Sequence, residues 1–497
     1  MLLLGIDLGT SSIKVAIVDA QSQQTLITVQ YPESETAIIS PEKGWAEQDP
    51  EMWWGNVQQA ILKANASKKY DPKDIIAIGI AYQMHGLVCV DKNQRSLRNS
   101  IIWCDSRAVE IGNTAFDSIG REKSLHHLLN SPGNFTAAKL AWVKENEPEV
   151  YAMIDKIMLP GDFIAMKLTG QVTTSISALS EGIFWDFKEQ ELSKDIFDYF
   201  DFNTSLIPEL KDVFTVHGTV QPSIAEQLSL KPGVAVTYKA GDQPNNALSL
   251  NVLDPGEVAA TAGTSGVIYG VSDQLVYDQQ SRINSFAHVN FSTAQQRIGV
   301  LLCINGTGIL NSWIKKICGN QYSYTQMNEA ATGIEPGSNG LLMLPFGNGA
   351  ERMLENKLVQ SHVHNIDFNI HSPAHLFRAA QEGIAFAFRY GLDIMRENGM
   401  RPSVIRAGKA NMFLSDVFTN SFVNATNVPV ELHDCDGSVG AAKGAGIGAG
   451  FYKTAKEAFT NTTPLSLVAP TQSELYDGLY TEWKELLELQ ANEGIII

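Results

Sequence analysis

One short pattern occurs twice in this chain of 497 residues, and it limits the folds open to it more than any other feature. Near the start it reads Gly5-Ile6-Asp7-Leu8-Gly9-Thr10-Ser11-Ser12-Ile13-Lys14-Val15, and past the midpoint Ala260-Thr261-Ala262-Gly263-Thr264-Ser265-Gly266-Val267-Ile268-Tyr269. Each copy reads as an apolar strand, a Gly-Thr-Ser turn and a second β-branched strand, which is a hairpin with a glycine-rich tip. Glycine lets a backbone approach a ligand closely, and successive turn amides with hydroxyls form an anion cradle. A single such turn is most often an ordinary tight hairpin. Its recurrence, one copy per half, points to two related domains gripping a polyphosphate from both sides of a cleft.

The length exceeds one compact core, so two large domains are expected, here divided as 1–246 and 247–497. A net charge of -17 argues against a general nucleic-acid binder, which needs a basic surface, but not against a small anion held in a local cradle. Cys89, Cys104, Cys303, Cys318 and Cys435 are scattered, odd in number and form no CxxC pair. They imply neither a disulfide framework nor a zinc site, and fit a reducing cytosol. Asp7 interrupts the apolar N-terminus, which lacks a basic region and reads as a buried strand, not a signal peptide. No apolar run reaches membrane-spanning length. The expectation is a cytoplasmic protein with neither a membrane nor a nucleic-acid partner.

Along the chain, Leu2 to Ile6, Ile13 to Val18 and Leu26 to Val29 read as a strand meander. Helical spacing covers Pro50 to Lys63, Ala137 to Lys144, Asp162 to Leu168 and His375 to Glu397. Ile75 to Ile80 is a continuous apolar run of the kind a buried strand needs, Leu341 to Phe346 is another apolar strand, and Val234 to Ala240 reads as a strand leading into Gly241-Asp242. Ser403 to Arg406 reads as a strand, and the alanine-rich Gly437 to Gly450 as a tightly packed helix. A hairpin followed by alternating α and β elements occurs once per half, so the fold class is α/β.

Asp7 ends a strand beside the first turn. A carboxylate next to phosphates makes chemical sense with Mg²⁺ between them; a turn-capping Asp is the alternative. Asp242 follows Gly241 at a strand end and precedes the polar run from Gln243, which starts a helix. There it is either a base that takes a hydroxyl proton during phosphoryl transfer or a helix N-cap. Gln83-Met84-His85-Gly86 and Trp103-Cys104-Asp105-Ser106-Arg107 supply amide, imidazole, aromatic and acid groups suited to a polyhydroxy ligand. A structural histidine and a surface Asp-Arg pair are the plainer readings of these loops. No GxxxxGK[ST] loop, kinase HRD or DFG set, HExxH or GxGxxG fingerprint is present.

These residues together resemble the FGGY family of carbohydrate kinases, within the superfamily of actin, sugar kinases and heat-shock ATPases. The two Gly-Thr-Ser segments are similar to its phosphate loops, and Ile405-Arg406-Ala407-Gly408-Lys409-Ala410-Asn411 stands where its adenosine motif is expected. Phe135 to Asn146 fits its signature pattern, and the likeness spans essentially the whole chain. Gln83 to Gly86, Trp45 to Pro50 and Trp103 to Arg107 are most similar to the members that phosphorylate xylulose.

The resemblance implies two actin-like (ribonuclease H-like) domains with a catalytic cleft between them. It also implies ATP-dependent phosphorylation of D-xylulose with Mg²⁺. Asp242 would be the base, and Gln83, Met84, His85, Trp103, Asp105 and Gln243 would line the sugar pocket. Asp7 would sit by the metal. Thr10, Ser11, Ser12, Lys14, Gly263, Thr264 and Ser265 would sit by the phosphates, and Gly408, Lys409 and Asn411 by the nucleoside. A homodimer is the assembly that relatives suggest.

The chain departs from the usual pattern at Gln243, where many relatives carry Asn, and at Lys409, where glycine is common; no Thr-Pro follows Glu351-Arg352. Rival readings are a kinase for ribulose, fuculose, gluconate or glycerol, a nucleotide-driven switch of the actin or chaperone kind, and an inactive sugar sensor.

Overall fold

The structure is a computed structural model that describes residues 1–493 and 495–496. Strands β1 (Leu2–Leu8), β2 (Ile13–Asp19) and β3 (Thr25–Tyr31) form an antiparallel meander. Helix α1 (Pro50–Ala66) follows, started by Asp49, whose side chain accepts from the Glu51 amide. Strand β4 (Ile75–Tyr82) returns parallel to β1 on its far side. Helices α2 (Thr136–Asn146), α3 (Pro160–Thr169) and α4 (Ile176–Glu181) come next, then β5 (Phe214–Thr219), β6 (Ala235–Gly241) and α5 (Asp242–Ser249). The first sheet has the order β5-β6-β4-β1-β2-β3, with β6 parallel to β4.

The second half repeats this plan. Strands β7 (Val258–Ala262), β8 (Gly266–Ser272), β9 (Asn284–Ala287) and β10 (Ile298–Ile304) are antiparallel neighbours. Helices α6 (Gly308–Ile317), α7 (Tyr324–Thr332) and α8 (Pro373–Glu397) precede β11 (Ile405–Gly408), which runs parallel to β7. Helix α9 (Asp416–Thr426), β12 (Val430–His433), α10 (Gly437–Gly448), β13 (Ser466–Val468) and α11 (Ser473–Glu493) complete it. The sheet order is β9-β10-β8-β7-β11-β12-β13. Both sheets therefore contain a three-strand meander continued by two parallel strands, a ribonuclease H-like plan present twice.

Alternation along β1 decides which face meets which layer. Leu2, Leu4, Ile6 and Leu8 pack with Trp53, Val57 and Ile61 of α1. Leu3 packs with Ala441, Ala442 and Ala445, so Gly5 and Asp7, which share its side, face α10. The second half thus lends its glycine- and alanine-rich helix to the first sheet. The approach is so close that a Cβ on Gly5 would lie 1.8 Å from the Ser438 carbonyl oxygen, and one on Gly79 1.9 Å from that of Ala441. Helix α5 crosses α10 at Gly440, where a Cβ would lie 1.7 Å from Ser249 Oγ.

Several boundaries differ from those expected. The strand read at Ser403 to Arg406 is Ile405–Gly408, because pairing starts only where Val258 and Val430 stand opposite Ile405. Helix α3 begins at Pro160, so Asp162 lies in its first turn, where it is buried against Lys239 at 2.5 Å. Helix α10 stops at Gly448, two residues short of Gly450, which has φ +70°.

Gly79→Val is expected to lower the thermal unfolding midpoint, with about 1–3 kcal/mol of overpacking cost. Gly55→Ala, at a helical site with nothing within 4 Å of the added Cβ, is expected to stabilise by up to about 1 kcal/mol. Paired calorimetric scans check both, and equal midpoints for the two variants would contradict the role assigned to α10.

Candidate active site

The site lies at the carboxyl ends of the parallel strands, where α/β sheets place their ligands. Asp7 stands opposite Lys14 across the first hairpin and beside Ala81 of β4. Helix α10 starts directly over it: a Cβ on Gly437 would lie 2.5 Å from Asp7 Oδ2. Asp436, the N-cap of α10, accepts from the Ser438 amide and lies 3.6 Å from Lys14 Nζ. Asn245 of α5 donates to the Gly437 carbonyl at 2.9 Å, so two helix N-termini converge on one spot. That arrangement favours anions.

Burial, reinforced by Asp436 and opposed by Lys14, raises the Asp7 carboxyl to about 6; no amide hydrogen bond contributes, so Asp7 is not a turn cap. Asp242 is the first residue of α5 and Gly241 is its N-cap, so Asp242 is not a cap either. Burial and then the charge of Asp7 push its carboxyl up to about 7, against hydrogen bonds from Gln243. An acid poised near neutrality at a strand end can hold or release a proton at physiological pH.

The two glycine-rich tips are anchored differently. In the first, the Gly9 amide donates to Ser12 O, and Thr10 Oγ1 donates to Gln83 Oε1 at 3.1 Å while accepting from Trp103 Nε1 at 3.0 Å. The loop expected at phosphate is thereby tied to both loops expected at sugar. Ser11 is exposed and Ser12 partly so. In the second, the Gly308 and Ile309 amides of α6 donate to the carbonyls of Gly263 and Thr264, leaving Thr264 and Ser265 exposed at the tip.

Beside that second tip opens a cavity of 780 Å³ lined by Gly263, Thr264, Gly308, Asn311, Tyr324, Asn328, Asn411 and Met412. Asn311 Oδ1 is buried there without a partner. A cavity of that size with an unpaired buried acceptor and a glycine-rich turn in its lining has room for a nucleotide. Asn411, at φ +53°, lines the cavity as expected; Gly408 and Lys409 do not. Lys409 is exposed, and its amide is held by the His433 carbonyl at the end of the sheet. The α6 and α7 lining escaped the sequence reading, although Ser323 and Gln326 form a capping box legible as Ser-x-x-Gln.

On the far side of Asp242, Met84 and His85 form a turn after β4. His85 takes φ +62°, which aims its ring between Phe135 at 4.8 Å and Phe286 at 5.4 Å. Its Nδ1 lies 3.2 Å from the Glu181 carbonyl, an acceptor only, so Nδ1 carries the proton and Nε2 is the lone-pair acceptor. Burial, with Lys139 and Arg352 nearby, pushes the imidazole down to about 3, so it is neutral. Gln243 Oε1 is a buried acceptor with no partner. Arg352, from the second half, stands 6.0 Å from the Phe135 ring centroid.

Asp105 departs from the expectation that it lines this pocket. It is 0% exposed, and its oxygens accept from Arg107 and from the Ala46 amide. Arg107 itself stacks 3.8 Å from the Trp45 ring centroid, so the Asp-Arg pair is a buried clasp for the loop and only Trp103 reaches the cleft.

Fold and site together define a phosphotransferase of the two-domain, ribonuclease H-like kind. The N-terminal domain profile of the FGGY family of carbohydrate kinases matches residues 2–249, and the C-terminal domain profile matches residues 258–449. The chain belongs to the FGGY family and is an ATP-dependent carbohydrate kinase.

It is 27% identical to a xylulose kinase of Bacillus subtilis over 97% of both chains. To one of Klebsiella pneumoniae it is 27% identical over 81% of this chain and 80% of that one. Among solved structures, xylulose kinase from Lactobacillus acidophilus superposes with a TM-score of 0.89 at 21% identity, covering 99% of this chain and 98% of that one. Plasmodium falciparum glycerol kinase with ADP gives 0.88 at 20%, covering 98% of each. Those two likenesses establish the fold. Among the described residues no helix is long and apolar enough to cross a membrane.

The raised Asp242 carboxyl carries a stability signature. An acid whose folded value of about 7 exceeds its ordinary 3.8 binds extra protons when folded, so stability falls as pH rises from 3.8 to about 7. Asp242→Asn removes that dependence. Its melting midpoint should exceed the wild type's at pH 8, with the gain shrinking towards pH 4. A variant no more stable than wild type at pH 8 would contradict the raised value.

Proposed function

We propose that the protein transfers the γ-phosphoryl group of ATP to the terminal (C5) hydroxyl of D-xylulose, with Asp242 as the base. The observation that carries this reading is the position of Asp242. It sits between the acidic, helix-capped spot at Asp7 and a pocket whose open groups, His85 Nε2 and Gln243 Oε1, both accept from hydroxyls. The curated relatives named xylulose kinase support the sugar; glycerol kinase and the gluconate kinase of Lactobacillus acidophilus share the fold, so pocket chemistry decides among them.

The steps follow from the groups present. Asp242 takes the hydroxyl proton as that oxygen bonds to the γ-phosphorus, the bond to the β-bridging oxygen breaks, and ADP leaves. The exposed tips at Thr10–Ser11 and Thr264–Ser265 donate to the phosphates, while Lys14 and the N-termini of α5 and α10 offset developing charge.

Among the described residues no three His, Cys, Asp or Glu side chains form a metal cage. One or two carboxylates with phosphates and water are what Mg²⁺ usually takes, and Asp7 with Asp436 fits that role. Bound there, the ion would supply charge neutralisation for the phosphates. The five free cysteines fit a cytoplasmic location.

ADP release measured with Mg-ATP across ketoses, aldoses and polyols should be stimulated most by D-xylulose. Stimulation by another sugar would overturn the substrate, and by none the reaction. Asp242→Ala should lower kcat by about 10²–10⁴-fold while ATP still binds. Asn311→Leu should raise the KM for ATP by about 2–10-fold and leave the sugar KM unchanged, as expected for one hydrogen bond in the nucleotide cavity.

A further inference from the structure

Glu181 is the last residue of α4 and is only 1% exposed. Its Oε1 accepts from the His85 amide at 3.1 Å. Its Oε2 is buried with no hydrogen-bond partner. A buried polar atom left unpaired is costly, and it persists where another constraint or a ligand accounts for it.

The position of that atom identifies the space it serves. A Cβ on Gly241 would lie 2.8 Å from Glu181 Oε2 and 2.7 Å from Met84 Cγ. The orphan oxygen therefore abuts the residue before Asp242 and the Met84-His85 turn. No cation answers it: Lys139, a nearby base that is itself 0% exposed, directs Nζ to the His85 carbonyl at 2.9 Å. Burial, together with the charges of Asp242 and Asp162 and against the hydrogen bond from the His85 amide, holds the Glu181 carboxyl well above its usual range, which favours its protonated form.

The mounting is rigid. Ser177 Oγ donates to the Ala287 carbonyl at 2.8 Å, and Ser180 Oγ accepts from the Ala287 amide at 2.9 Å, so α4 is pinned to β9 of the second half. A group fixed from both halves and left with one open oxygen has the character of a preorganised recognition element.

We propose that Glu181 is a sugar-binding residue whose Oε2 forms a hydrogen bond to an oxygen of the bound ketose close to the hydroxyl that Asp242 deprotonates. This rests on the sugar-kinase reading above and adds a specificity group to it. Gln243 accepts only through its carbonyl oxygen and His85 only through Nε2. Glu181 adds a group beside Gly241, next to the residue that deprotonates the transferred hydroxyl.

The test compares Glu181→Gln and Glu181→Met with wild type. The Gln variant keeps the acceptor for the His85 amide and puts an amide nitrogen where Oε2 stands, so it is expected to fold and to keep the sugar KM within about 3-fold. The Met variant should raise it more than 10-fold. In both, the KM for ATP should stay within 2-fold and kcat within about 3-fold. The sugar KM is also measured on a series of deoxy and reduced analogues of the ketose. One analogue should lose affinity in wild type yet lose no more in the Met variant, a non-additivity that a purely structural role does not produce.

An unchanged sugar KM in the Met variant overturns the proposal. So do equal rises in both KM values, or analogue penalties that simply add to the substitution. If no sugar stimulates ADP release by the wild type, the sugar-kinase reading falls and this inference falls with it. That outcome is distinct from additivity in an active enzyme.

Discussion

Everything at the site depends on α10 lying flat against the first sheet. Backbone touches backbone there, because Gly5, Gly79 and Gly448 each lack the Cβ that would occupy a neighbour's position. A helix this close carries its N-terminus directly over Asp7, and with it Asp436 and the amide of Gly437. Helix α5, which begins with Asp242, crosses α10 at Gly440 and is tied to it through Asn245. A residue of the first hairpin, the acid that begins α5 and a cap from the far end of the chain thus share one corner.

The electrostatics follow from that packing. Three carboxylates stand near one another, Lys14 lies by Asp7 and Asp436, and burial lifts the Asp7 and Asp242 carboxyls above their usual range. On the proposed reading, a cation placed among phosphates would relieve Asp7 and Asp436, and a sugar hydroxyl would offer Asp242 a proton to share. Two helix N-termini reward that gathering of anions, so the corner is built for charges that arrive with the substrates.

The sequence was most readable where chemistry and local backbone coincide. The Gly-Thr-Ser tips announce both hairpins because a short turn between β-branched strands needs those residues, and each tip lies next to its acid or its cavity. Asp7 and Asp242 were visible as polar residues ending apolar strands. Asp105 misled because a carboxylate beside an arginine looks the same whether the pair lines a pocket or, as here, stacks under Trp45 as a buried clasp. Glu181 and Asp436 were not singled out, since their meaning comes from distant partners: His85 for one, and Lys14 with Asp7 for the other. The nucleotide cavity was half seen. Asn411 belongs to a recognisable motif, whereas Asn311, Tyr324 and Asn328 reach it only because α6 and α7 fold back over the second tip.

The division of labour between the halves explains why the sugar pocket is not the property of one domain. His85, Phe135 and Glu181 come from the first half, Phe286 and Arg352 from the second, and β9 is pinned to α4 through Ser177 and Ser180. The phosphate tips are likewise one from each half, and Thr10 links the first of them to Gln83 and Trp103. A sugar that fills its pocket therefore draws on the same relative placement of the halves that brings the two tips onto the phosphates. On the proposed reading, water in a half-filled cleft would meet neither condition, and transfer to sugar would be favoured over transfer to water.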